Sequence, residues 1–216
     1  MHLYIKCGCV NWTSEDRAHQ FEVPRSEDIM SNTGERIEIP SGVTAEVKEK
    51  SITIKGPKGQ VQRDFTHAES VEIQKSKDGL MLRALSERKR ARSLTNTVKT
   101  EINNMILGVT KGFTYKLKMA HSHFPISVKV DKERHKISIE NFIGERYPRS
   151  AAIDGEVEVT VKGDDVVVSG ADKQSVGQTS TNVRRACRIK DKDPRVFQDG
   201  IYLYETYCGD ELINKV

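Results

Sequence analysis

The chain of 216 residues has little of what would define it quickly: four cysteines, six prolines, one tryptophan and 6% aromatic residues. Cys7, Cys9, Cys187 and Cys208 are too scattered for a disulfide framework, and a chain of this length needs no covalent staple, so reduced thiols are expected. Cys7-Gly-Cys9 has no second pair at zinc-finger spacing. No apolar run approaches the roughly 18 residues of a membrane span, and Lys6 interrupts Leu3-Tyr4-Ile5, leaving no signal-peptide core. The chain reads as cytoplasmic, with no membrane partner. Leucine is scarce as well, 9 against 37 valines and isoleucines. That balance argues against a helical bundle, because β-branched side chains pack best on pleated surfaces. Enzymatic motifs are missing too: there is no Gly-x-Ser-x-Gly and no His-Glu-x-x-His. Gly108-Val-Thr-Lys-Gly112 leaves a helix for a strand, whereas a phosphate loop enters a helix.

What is present is concentrated charge. The net charge is only +4, yet residues 83–99 carry Arg83, Arg88, Lys89, Arg90, Arg92 and Lys99 against Glu87 alone. Residues 173–195 carry Lys173, Arg184, Arg185, Arg188, Lys190, Lys192 and Arg195 against Asp191 and Asp193. Two such basic segments in an otherwise acidic chain fit a polyphosphate partner, which gains from counterion release at each Lys or Arg. Two solvated helix faces account for the charge equally well.

Along the chain, residues 1–36 read as an N-terminal extension with no sustained period. From Ile37 the apolar residues alternate: Ile37, Ile39, then Val43, Ala45, Val47, then Ile52 and Ile54, with strands continuing at 61–65, 70–74 and 80–85. Helical spacing follows in Leu94, Val98, Ile102, Met105 and Ile106, with Gly108 as the expected C-cap. The order then repeats. Val47-Lys48, Ile52, Ile54 and Gly56 match Val161-Lys162, Val166, Val168 and Gly170 at an offset of 114, with Val43 over Val157 and Gln60 over Gln174. A second helix is expected over 175–189. The fold class is α+β: two tandem homologous modules, each a small antiparallel sheet packed against one helix, over residues 37–110 and 111–204, with 205–216 as a C-terminal tail.

His121-Ser-His123 lies in an expected strand, where residues two apart share a face, but a third metal ligand at recognisable spacing is missing. Cys187 sits among Arg185, Arg188 and Lys190, which could lower its pKa; its other reading is a small apolar contact on a helix. Gly170-Ala-Asp-Lys-Gln-Ser-Val-Gly-Gln178 combines a turn, an N-capping Asp172, Lys173 in the first helical turn and a second glycine where the backbone can be approached closely. A helix start of this kind is a ready phosphate site, and an ordinary strand-to-helix turn has the same residues.

The longer stretch Gly170-Ala-Asp-Lys-Gln-Ser-Val-Gly-Gln-Thr-Ser-Thr-Asn-Val-Arg184 closely resembles large-subunit ribosomal proteins of the universal L-six family, called L-nine in eukaryotes. Ile52-Thr-Ile-Lys-Gly-Pro-Lys-Gly59, Asn104-Met-Ile-Leu-Gly-Val-Thr-Lys-Gly-Phe113 with His123-Phe-Pro-Ile126, and Lys190-Asp-Lys-Asp-Pro-Arg-Val-Phe-Gln-Asp-Gly-Ile-Tyr202 agree with it, the last in an archaeal or eukaryotic form. The resemblance runs from about Ile37 to Tyr204 and departs at residues 1–29 and at 84–92. It implies no enzymatic activity, no cofactor and no metal. It implies binding to large-subunit ribosomal RNA near the sarcin-ricin loop and the stalk base, beside neighbouring ribosomal proteins and close to where translational GTPases dock. In a eukaryote, assembly in the nucleolus would precede work in the cytoplasm. Carried over by position, RNA contacts are expected from Lys173, Gln174, Gln178, Arg184, Arg185, Arg188, Lys190, Lys192 and Arg195, with Arg146, Arg149 and Lys111, and the first module lies more peripherally. Helical RNA is read through phosphates and 2′-hydroxyls, which suits a chain poor in aromatics. Alternatives are a free RNA chaperone or ribosome-associated regulator and, from another class, a metal-dependent hydrolase using His121 and His123.

Overall fold

The computed structural model describes residues 34–76, 79–86, 88–122, 124–190, 192–193 and 195–215. The expectations for residues 1–33, including Cys7 and Cys9, and for His123 fall outside them. In the first module the alternating residues form β1 (Gly34–Glu38), β2 (Thr44–Lys48), β3 (Ser51–Gly56), β4 (Gly59–Asp64), β5 (Val71–Ser76) and β6 (Gly79–Ala84), followed by α1 (Lys89–Thr110). The strands make two antiparallel sheets, ordered β2-β3-β4 and β1-β6-β5. Ile52, Ile54, Leu80 and Leu82 point inward with no exposed surface. They meet Val98, Ile102, Met105 and Val109, which recur at helical spacing on one side of α1 and close a separate core.

The second module has β7 (Phe113–Ala120), β8 (Ser127–Asp131), β9 (Lys136–Glu140), β10 (Arg149–Ala152), β11 (Val157–Lys162) and β12 (Asp165–Gly170), then α2 (Lys173–Ala186), β13 (Gly200–Cys208) and β14 (Glu211–Lys215). Its sheets are ordered β10-β9-β8 and β11-β12-β7-β13-β14. Val176, Thr179, Ser180 and Val183 are the buried side of α2, closing a second core with Val166, Val168, Ile137 and Ile139. Residues 34–36, expected in the extension, belong to β1, and residues 205–215, expected in a tail, complete β13 and form β14.

The topology shows the duplication directly. β1-β6-β5 corresponds to β7-β12-β11, the three-stranded β2-β3-β4 to β8-β9-β10, and α1 to α2. That places Lys89 opposite Lys173, an offset of 84, so the offset of 114 pairs hairpins that are not counterparts. The β2–β3 hairpin had matched β11–β12 only because both alternate apolar residues and end in glycine, a pattern any half-buried hairpin shares. Gln60 accordingly lies in β4 and Gln174 in α2.

The modules meet along the C-terminal half of α1. Gly108, expected as a cap, is buried inside this helix, because a Cβ there would lie 1.9 Å from the carbonyl oxygen of Ala171. The helix stops instead at Lys111 and Gly112, whose amides both return to the Leu107 carbonyl, with Gly112 at φ +76°. Ala171 packs against the first core, and the Lys58 amide donates to the Val109 carbonyl.

Two glycine-to-alanine changes should therefore act in opposite directions. Gly108→Ala forces a methyl into a carbonyl and is expected to destabilise by about 2–3 kcal/mol. Gly177→Ala, whose Cβ would meet nothing nearer than Tyr115 at 3.8 Å, gains helix propensity and should stabilise by up to about 1 kcal/mol. Urea denaturation of the two variants measures both shifts.

Candidate RNA interface

The segment 170–184 is built as a capped helix start. Asp172 is the N-cap of α2: its carboxylate accepts from the amides of Gln174 and Ser175 at 3.2 and 3.3 Å and from the Ser175 hydroxyl at 2.8 Å. Arg63 of β4 covers the same carboxylate, with its Nη2 2.7 Å from Asp172 Oδ1 and its Nη1 2.9 Å from Glu101 Oε2 on α1. The Lys173 ammonium turns to the first module, 3.3 Å from Asn104 Oδ1 and 5.7 Å from the Phe113 ring centre. The helix start read as a phosphate site is thus filled by the protein's own groups, and Lys173 joins the modules.

The outward side of α2 is different. Gln174, Gln178 and Arg185 are exposed and follow one another at intervals of four and seven, with the half-buried Gly177 and Thr181 along the same stripe. No internal packing contact requires Gly177 to be glycine. Arg184 is exposed one position away, and Arg188, Lys190, Lys192 and Arg195 are exposed in the segment that follows. Arg184 and Arg185 occupy the last turn, where cations also favour the helix dipole.

The loop joining β9 and β10 packs against this helix end. Arg149, the first residue of β10, is fully engaged by the protein. Its Nε and Nη2 hold Glu145 at 2.8 and 2.6 Å, its Nη1 donates to the carbonyls of Ala186 and Arg188 at 2.8 Å each, and its guanidinium lies 4.4 Å from the Phe142 ring centre. It closes the C-terminus of α2. Beside it Arg146 is exposed, and so is Tyr147, at 86% the most exposed large apolar side chain among the described residues. The loop is strained: Asn141, Ile143 and Gly144 all have positive φ, and for a β-branched Ile143 at +53° the cost is of order 1–3 kcal/mol. Buried Phe142 and the Asn141 amide on the Pro125 carbonyl, at 3.0 Å, hold it. Sequence reasoning missed Tyr147; its only signal was an aromatic between two arginines in Arg146-Tyr-Pro-Arg149.

The structure therefore brings together Arg146, Arg184, Arg185, Arg188, Lys190 and Lys192 around one end of α2. Lys190 and Lys192 are close enough to help hold the Glu145 carboxyl below its ordinary range, after the direct bond from Arg149. The Lys192 ammonium also sits 4.7 Å from the Phe197 ring centre. Lys111 stands apart at the module junction, its ammonium 3.0 Å from Glu211. The large open cleft there is lined by Glu156, Glu158, Asp210 and Glu211 besides Lys58 and Lys111, a poor match for phosphate. Cys187 is buried, and desolvation outweighs the pull of Arg149 to push its thiol up to about 11, the reverse of activation. His121 is exposed beyond the end of β7, and no three potential ligands cluster among the described residues.

A family model described as ribosomal protein L6 matches residues 39–112 and 124–200, one segment in each module. The chain is similar to the large ribosomal subunit protein uL6 of Staphylothermus marinus, 45% identical over 172 residues that cover 79% of this chain and 93% of that one. It is similar in the same way to uL6 of Methanobrevibacter smithii, 46% identical over 169 residues (78% and 93%). With uL6 of Aeropyrum pernix the identity is 46% over 171 residues (79% and 93%).

Arg149→Gln should cost about 2 kcal/mol, as charged hydrogen bonds to two carbonyls and a carboxylate are lost, whereas Arg146→Gln should change stability by less than about 0.5 kcal/mol; urea midpoints separate the two. Cys187 should resist iodoacetamide at pH 8 and label only on unfolding, read by peptide mass spectrometry. Because the folded thiol holds its proton to about 11 while the unfolded one releases it near 9, stability should fall as pH rises through that interval.

Proposed function

The chain belongs to the ribosomal protein L6 family, and from that premise we propose that it is a structural constituent of the large ribosomal subunit, binding ribosomal RNA through the basic end of α2. The observation that carries this is the convergence of Arg184, Arg185, Arg188, Lys190 and Arg146, all exposed, on one end of a helix whose outward stripe is otherwise Gln174, Gly177 and Gln178. The arginines offer forked donors to phosphates. The glutamines reach sugar hydroxyls or base edges, and Gly177 lets a backbone come close. Tyr147 supplies a ring on which an unpaired base can stack. The protein acts in the cytoplasm, within ribosomes, by holding an RNA junction in shape; it is not an enzyme.

The finer placement follows the family: the RNA held is near the sarcin-ricin loop and the stalk base, with translational GTPases docking close by. Lys173, Arg149 and Lys111 support the site from within, since each is engaged by the protein itself. Arg195 and Lys192 extend the basic surface along the segment before β13.

Charge reversal at Arg184 and Arg188 should lower incorporation of a tagged chain into large subunits by at least tenfold, with a melting temperature lowered by no more than about 2–4 °C from the lost helix-dipole interaction. Incorporation equal to wild type would remove this end of α2 from the RNA face. Dimethyl sulfate probing of the assembled subunit should show bases protected near the sarcin-ricin loop only when the chain is present; protection elsewhere would move the site.

A further inference from the structure

The duplication supplies an internal control for the start of each helix. At α2 the position before the first helical residue is Asp172, a carboxylate that caps the amides and answers the positive end of the helix dipole. At α1 the same position is Arg88; no side chain caps the helix, its first turn holds no acid, and Lys89, Arg90 and Arg92 follow. All four cations are exposed, and none has an ion-pair partner among the described residues. Elsewhere in the module several such charges are answered: Lys55 by Glu46, Arg63 by Glu101 and Asp172, and Lys99, from the same basic segment, by Glu35.

Folding alone disfavours this arrangement in two ways. Four like charges crowd just over one turn, Arg88 and Arg92 being direct neighbours at i and i+4. They also face the end of the helix where cations are unfavourable, whereas Arg184 and Arg185 at the C-terminal end of α2 stabilise their helix. A surface kept at the expense of stability points outward, to an anionic partner.

We propose that the exposed start of α1, carrying Arg88, Lys89, Arg90 and Arg92, is a second RNA contact, holding phosphates of ribosomal RNA apart from those held by α2; it rests on the reading of α2 given above. Three of the four are arginines, whose planar forks match phosphate oxygens. Among the described residues Leu85, 62% exposed, is the one large exposed apolar side chain next to them in the chain, too little for the apolar centre of a protein interface. With the modules locked, two contacts on one rigid body raise avidity and fix orientation together.

The test uses the full chain and deproteinised large-subunit RNA, with affinity measured across a salt series. The variant R88Q/K89Q/R90Q/R92Q should bind at least tenfold more weakly at low salt, with a log–log salt slope shallower by about 2–3. Its melting temperature should be equal to or above wild type, because repulsion is removed. R88K/R90K/R92K, which keeps the charge, should keep most of the slope and guards against a folding defect. Unchanged affinity and slope in the glutamine variant, while R184Q/R188Q weakens binding, would overturn this proposal and leave the α2 site standing. Failure of R184Q/R188Q to weaken binding, with loss only in the α1 variant, would instead overturn the α2 reading. RNA affinity intact but incorporation into subunits lost in the α1 variant would identify an acidic protein as the partner and overturn the RNA contact.

Discussion

The organisation of this molecule depends on the approach of α1 to the turn that precedes α2. Gly108 can lie against the Ala171 carbonyl only because it has no side chain, and the gap is then sealed by Arg63, which grips Glu101 on one module and Asp172 on the other. Arg63 is mostly buried, so losing either carboxylate would leave a poorly solvated charge and cost more than breaking a surface pair. Asp172 caps α2 with the same carboxylate. One residue thus starts the second helix and ties it to the first module, and the direction in which α2 presents its glutamines and arginines is fixed by that joint.

Charge is distributed with equal economy around α2. At its N-terminus a carboxylate meets the free amides, and at its C-terminus Arg149 meets the free carbonyls while Glu145 holds Arg149 in place. With both ends satisfied from inside, the exposed cations on the last turn and the following segment are not needed to cap the helix. A strained loop delivers Arg146 and Tyr147 to the same end, and a backbone cost at a surface loop is usually maintained by function.

Much of the fold could be read in the sequence because local rules and tertiary packing agree. Alternation located the hairpins of the first module, helical spacing located α1, and Asp172 was read as a cap for reasons of side-chain chemistry, while the second helix, expected over 175–189, starts directly after that cap and spans Lys173–Ala186. The errors arose where long-range contacts decide. Gly108 looked like a helix end, since glycine ends helices unless another backbone needs the room. The repeat was set in the wrong register because period-two patterns align with one another at many offsets. Lys173 and Arg149, which the resemblance implied as RNA contacts, also have partners distant in sequence, Asn104 and the Ala186 carbonyl, that no local pattern reveals. The arginines and glutamines on the outward side of α2 are exposed, and none has such a distant partner among the described residues.

The most direct test of the account is sedimentation of a cell lysate through a sucrose gradient at high salt, following this chain beside a known large-subunit component. Salt strips loosely held phosphate binders first, so a chain locked into the subunit by α2 and its rigid joint should co-migrate with the large subunit at one copy each. Release of the chain to the top of the gradient while the subunit stays intact would contradict it.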